Sequence, residues 1–214
     1  MIILSVLMAT TPDRVNMFST LFNEVHRQIA YLNTVHPSLG NVEIVVDDSP
    51  KFLDGGPSIG KKREALLKRA EGNYVCYLDS DESIAPNYIE VLVRLCHAGR
   101  DVVTFRNLTK TETYWTIVDM SFNYQVNDQA SPNFITRRRP WHICPVRRDF
   151  ANKYSFEDSN YGEDYNWMEQ VLKHCTTEAH TEAVIHQYNH GKHSEADKIT
   201  AHELFTKSGT RNNS

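Results

Sequence analysis

The sequence predicts an α/β fold, a Rossmann-like and mostly parallel central sheet flanked by helices. Three observations lead there. Apolar, β-compatible runs alternate with segments of helical period through residues 1–99. Three of those runs end in polar or acidic residues, Thr10-Thr11, Asp47-Asp48 and Asp79-Ser80-Asp81. The third run, Tyr74-Val75-Cys76-Tyr77-Leu78, is continuously apolar, as a strand buried on both faces should be. Open α/β sheets bind ligands beyond the carboxyl ends of their strands, where these acids fall.

Taken in order, residues 2–9 form the first strand, and Thr10-Thr11-Pro12-Asp13-Arg14 is a polar turn into a helix over 14–33. Phe18, Leu21, Phe22, Val25, Ile29 and Leu32 make its apolar stripe. Residues 42–46 form a second strand. After the glycine-rich Asp54–Gly60, a helix over 61–70 contains the i,i+4 pair Glu64 and Lys68, and Gly72 is placed to end it. A strand over 74–78 follows. Pro86 then opens a helix with Ile89, Leu92, Val93 and Cys96 inward. From Asp101 the alternation stops. Residues 102–105 and 114–122 read as strands with no helix between them, and 123–140 as polar loop. A helix starts near Gly162, and Ala183–Ile185 is a short strand. The expected organisation is a single domain over 1–206, split into halves at 1–99 and 100–206, with 207–214 a disordered tail.

At 214 residues and 40% hydrophobic content, the chain can bury a sizeable core. A formal charge of −4 argues against a protein that coats nucleic acid generally. The apolar start lacks a basic leader and a small-residue cleavage site, so a first strand is expected rather than a signal peptide. No apolar run approaches the ~18 residues that span a bilayer. Cys76, Cys96, Cys144 and Cys175 show no close pairing, which suits buried thiols and a cytoplasmic location.

Four constellations could carry chemistry. Asp79 and Asp81 share a face of an extended chain, and a tight turn would let both reach one Mg²⁺ or Mn²⁺ or one diphosphate. The same residues also suit an ordinary polar turn. Gly55–Arg63 resembles a phosphate loop, but Lys62 stands where Ser or Thr would hold the metal. Lys61 and Lys62 are therefore either anion contacts or a solvated basic face, with contact favoured for one of them. Glu163 and Asp164 open a helix, where acids are stabilising in any case. Trp167, one turn on, is either core or a wall for stacking a sugar. His180, His186, His190 and His193 lack the neighbours of a zinc site.

Together, the strand Ile3–Met8, Asp47-Asp48-Ser49, the segment from Gly60 to Val75, Asp79-Ser80-Asp81-Glu82 and Gly162-Glu163-Asp164-Tyr165-Asn166-Trp167 resemble the family 2 glycosyltransferases. The resemblance is close over 1–95 and looser over 140–190. It implies the GT-A fold and inverting transfer of a sugar from a nucleotide-diphosphate donor, most often a UDP-sugar. It places Thr10 and Arg14 near the nucleotide, Asp48 or Asp47 on the base, and Asp79 on the ribose or a metal-bound water. It further implies Asp81 as ligand to Mn²⁺ or Mg²⁺ and Asp164 as general base, with Glu163 beside it orienting the acceptor or the base. His190, with His193 and then His186 behind it, would complete the metal set. Lys62 or Arg63 would screen the diphosphate. The acceptor stays open between a glycan and hydroxymethylated, phage-type DNA, for which Arg137-Arg138-Arg139-Pro140-Trp141-His142 is suited. A nucleotidyltransferase of similar architecture and a catalytically silent nucleotide-sugar or glycan-binding module remain the alternatives.

Overall fold

The computed structural model describes residues 1–50, 52–125, 128 and 135–189. The first half comprises β1 (Ile2–Ala9), α1 (Val15–Val35), β2 (Asn41–Asp47), α2 (Ile59–Arg69) and β3 (Tyr74–Tyr77). β1 is buried from Ile3 to Ala9 and β3 throughout, as continuous apolar strands covered on both faces must be. β1 pairs in parallel with β2 on one side and β3 on the other. The chain therefore reverses direction across the sheet between its first and second crossovers. Right-handed crossovers then put α1 and α2 on opposite faces. α1 packs with α3 (Tyr88–Cys96), and α2 packs with α5 (Glu163–Leu172). Such a reversal opens a crevice between the carboxyl ends of β1 and β3.

The remaining elements are β4 (Ser83–Ile84), β5 (Val102–Lys110), β6 (Trp115–Met120), β7 (Ile135–Arg138), β8 (Val146–Arg147), α4 (Arg148–Ala151) and β9 (Glu178–Asn189). β8 runs antiparallel to both β3 and β5 and joins the two halves into one sheet, in the order β2-β1-β3-β8-β5-β6-β7. β9 runs parallel along β5 and turns its end to β4.

Two expectations about the second half need correction. The expected loop over 123–140 contains β7, held by parallel pairing from Ile117↔Ile135 to Met120↔Arg138. Of its four residues only Thr136 is buried, so its sequence shows no apolar alternation. The expected three-residue strand at 183–185 is twelve residues long, because pairing with β5 carries the polar stretch before it. Trp167 proves to be core. It is 1% exposed, stacked on Phe156 at 4.6 Å and edge-on to Tyr77 at 5.7 Å. All four cysteines are buried and free. Among the described residues no helix is long and apolar enough to cross a membrane.

Two glycines are required by close approach. A Cβ on Gly72 would lie 2.6 Å from Ser5 Oγ, which accepts the Gly72 N–H at 2.9 Å. Gly72 thus lets the chain after α2 run against β1, while α2 itself ends at Arg69. A Cβ on Gly60 would lie 1.9 Å from the Glu157 carbonyl oxygen. Around it the Gly60 N–H donates to Ser159 O at 3.0 Å, the Ile59 N–H to Asn160 Oδ1 at 3.0 Å, and Ser58 Oγ to Asp158 Oδ1 at 2.7 Å. The glycine-rich segment is thus a seam onto which the loop before α5 docks. Gly60→Ala should push that loop away and destabilise the protein by at least ~1–3 kcal/mol, as overpacking does. Urea unfolding measures this, and an unchanged midpoint would mean that the seam is loose.

Candidate active site

The turn after β3 is built from both halves of the chain. Glu82 Oε2 accepts the Asp79 N–H at 2.9 Å, and the Glu82 N–H returns to Asp79 O at 3.1 Å. Asn189 Nδ2 donates to the Asp81 carbonyl at 2.8 Å. Behind the turn, fully buried His186 places Nε2 3.0 Å from Glu82 Oε2 and Nδ1 3.2 Å from Asn107 Oδ1. His186 therefore supports the acidic turn from the core side. His190 and His193 lie outside the described residues.

Arg63, on α2, gathers the carboxylates. Its side chain is 5% exposed and donates to Glu163 Oε1 and, at 3.1 Å, to Asp79 Oδ2, with Asp164 Oδ2 at 3.7 Å. Burial disfavours the charge, but Asp79, Asp164 and Glu163 together outweigh it and hold the guanidinium above its usual value. Glu163 is itself buried against Arg63, away from solvent.

His142 closes the cluster, with Nδ1 3.0 Å from Asp164 Oδ2 and Nε2 3.6 Å from Asp79 Oδ2. Burial and Arg63 pull its pKa down, yet the two carboxylates prevail and push it up to about 9. Burial would raise the Asp164 carboxyl, but the bond to His142 and the charges of His142 and Arg63 hold it well below the usual range. Asp79 is depressed likewise, with Arg63 and His142 overriding its burial.

A second side of the site opens at the end of β1. Thr10 is buried, and its Oγ1 has no protein partner among the described residues. Lys62 is buried too. Its ammonium donates to Thr10 O at 2.9 Å and to Ser49 O, tying the ends of β1 and β2 together, and burial lowers its pKa. Asp47 Oδ1 accepts the Ser49 N–H at 3.0 Å, and Asp48 is exposed. Arg14 reaches across to Asp81 Oδ2 at 3.1 Å. Lys61 is a surface residue, 3.8 Å from Asp158.

Two cavities follow from this arrangement. One, about 620 Å³, is lined by Thr10, Arg14, Lys62, Asp79 and Asp81. The other, about 730 Å³, is lined by Glu163, Asp164, His142, Trp141 and Arg138. Ile59, Arg63, Asn160 and Tyr188 line both, so the two form one continuous cleft. The structure thus brings Thr10, Arg14, Lys62, Asp79, Asp81, Glu163 and Asp164 to that cleft, while Asp48 lies outside its lining. His142 was legible only as part of a basic, aromatic segment. Its partners Asp79 and Asp164 are far from it in sequence, so spacing held no signal of the contact.

The model of glycosyl transferase family 2 matches residues 57–155. Among solved structures, S. aureus TarS 1–349 in complex with UDP-GlcNAc resembles the chain with a TM-score of 0.59 at 13% identity. That match covers 92% of this chain and 61% of TarS 1–349. The complex of the same S. aureus fragment with UDP gives 0.61 at 14% identity, covering 96% and 71%. S. aureus TarS itself gives 0.56 at 12%, covering 99% and 44%. At these identities the likeness is one of fold, that of the GT-A glycosyltransferases. No curated protein matches the chain in sequence.

The His142 pair predicts a pH dependence of stability. The folded state holds the proton with a pKa of about 9, against an ordinary 6.5. The contribution is full below pH ~6.5 and is lost as pH rises through ~9. Between those values the melting temperature should fall more steeply for the unmodified protein than for His142→Gln. Parallel curves would mean that the imidazole carries no paired charge.

Proposed function

We propose that this chain, matched by the family 2 model over residues 57–155 and alike in fold to GT-A glycosyltransferases, is an inverting transferase that moves a sugar from a UDP-sugar to an acceptor hydroxyl. What supports the reading is a single observation. Asp81 lines one part of the cleft and Asp164 the other, with Arg63 lining both, as a diphosphate site and an acceptor site would require.

In this reading the nucleotide lies in the pocket beside Thr10, whose unpartnered hydroxyl meets a polar atom of the donor. Arg14, close to Asp81, faces the diphosphate oxygens. The acceptor enters from the Asp164 side. Its hydroxyl oxygen bonds to the anomeric carbon as the bond from that carbon to the diphosphate breaks. The nucleoside diphosphate leaves with the bonding electrons, and Asp164 takes the hydroxyl proton. Attack and departure on opposite faces invert the anomeric centre. His142 and Arg63 hold the Asp164 carboxylate in place, and the hydrogen bond from His142 sets its basicity.

The donor set suits a hard divalent ion bound mainly by its substrate. Among the described residues Asp81 pairs with Arg14 alone, and its side chain is partly exposed in the smaller cavity. The Asp79 oxygens face Arg63 and His142. Among the described residues no three acids, histidines or cysteines form a group that could hold a metal ion by themselves. Asp81 would thus hold Mn²⁺ or Mg²⁺ alongside donor phosphate and water, as Mg²⁺ sites commonly do. When bound, the ion neutralises charge on the departing diphosphate.

Two outcomes test the proposal. UDP should raise the melting temperature more with Mn²⁺ than without, and Asp81→Asn should abolish that difference. Stabilisation indifferent to metal would remove the ion from the reading. Asp164→Asn should lower UDP release from the best UDP-sugar by at least ~10²-fold, the usual range for general-base loss, with UDP binding nearly unchanged. Normal turnover in that variant would place the base elsewhere.

A further inference from the structure

Among the described residues, the arginines lining the cleft are paired with carboxylates, with one exception. Arg63 is met by Asp79, Glu163 and Asp164, and Arg14 by Asp81. Arg139, next along the chain, pairs with Glu169 at 2.9 Å. The cleft carboxylates are likewise engaged. Glu82 holds the Asp79 N–H, Asp164 contacts His142, and Asp128 accepts the Arg137 N–H at 3.2 Å.

Arg138 stands apart. It lines the larger cavity, its Nε has no hydrogen-bond partner, and no carboxylate among the described residues pairs with it. Its guanidinium lies 4.3 Å over the Trp141 ring, which fixes the plane of the fork. Burial is the main influence on its pKa and lowers it. A guanidinium stays charged in proteins. A half-buried cation without a counter-charge is costly until an anion reaches it.

We propose that Arg138 binds an anionic oxyacid group, phosphate or carboxylate, on the acceptor, so that the enzyme glycosylates an acid-bearing glycan or polyol. The planar fork suits two-point contact with either group. At the rim of the same cavity Tyr161 is 93% exposed and Tyr165 49% exposed, and both offer rings for the face of a sugar. One uncompensated guanidinium inside a cleft fits a single acid group. A polynucleotide would call for a series of cations along a surface, and neither Arg137 nor Arg139 lines the cavity. The proposal rests on the glycosyltransferase reading.

The test uses the full chain, saturated with UDP and Mn²⁺, and titrates glucose 6-phosphate, glucuronate, glucose and a single-stranded oligonucleotide by calorimetry. At least one anionic sugar should bind tenfold or more tighter than glucose. Which of the two binds better tells phosphate from carboxylate. Arg138→Gln should erase that advantage and leave the affinity for UDP unchanged. In the unmodified protein, inorganic phosphate should compete with the anionic sugars, a measurement that needs no variant. Equal binding of glucose, an advantage that survives Arg138→Gln, or absence of competition by phosphate would overturn the assignment. Tighter binding of the oligonucleotide than of either sugar would also overturn it, in favour of a nucleic-acid acceptor. If UDP itself fails to bind, the glycosyltransferase reading falls first and takes this one with it. If UDP binds and the sugars show no preference for charge, this proposal alone fails.

Discussion

A guanidinium withdrawn from water must be met by negative charge, and Arg63 meets it with acids from both halves of the chain. Asp79 follows β3, while Glu163 and Asp164 begin α5, about a hundred residues later in sequence than Arg63 itself. Removing one partner of such a group leaves uncompensated charge in the interior, which typically costs ~3–5 kcal/mol. The cluster therefore sets where α5 begins relative to β3, and with it the distance across the cleft. Asp79, two residues before Asp81, and Asp164 are held near each other because a buried cation lies between them.

The same arrangement explains why the chemistry is divided as it is. Asp79 and Glu163, which the motifs present as equal to their neighbours, are turned toward Arg63. Asp164 keeps 31% of its side chain exposed against 4% for Glu163, whereas Asp79 and Asp81 are alike at 27% and 29% and differ in partner, Arg63 for the one and Arg14 for the other. Within each acidic pair one residue anchors the site and the other faces the ligand space. Lys62 has the same anchoring character, since its ammonium joins the ends of β1 and β2 beside the smaller cavity.

Much of the first half was legible in the sequence, because its elements have the apolar period of what they bury. β1, β3, α1 and α2 fall within one or two residues of expectation. The second half was less legible for a physical reason. β7 and the start of β9 are strands by virtue of their partners, with polar side chains and a neighbour's backbone to pair with. In the site, the acids announced themselves through their position after strands and at a helix start. His142 did not, since nothing local distinguishes a histidine after a basic run from one that bridges two remote carboxylates. The glycine-rich segment has a role that its pattern did not announce. Gly60 is needed because another part of the backbone occupies the space of its missing side chain.

That contact bears on how the two halves of the chain can vary independently. The start of α2 and the loop 157–160 are fitted backbone to backbone, leaving no room for a side chain between them. Residues on the β6–β7 side of the cleft can change without disturbing this fit. A recombinant that exchanges everything after residue 99 with a relative's would have to inherit both surfaces of the joint together, or re-evolve one to suit the other.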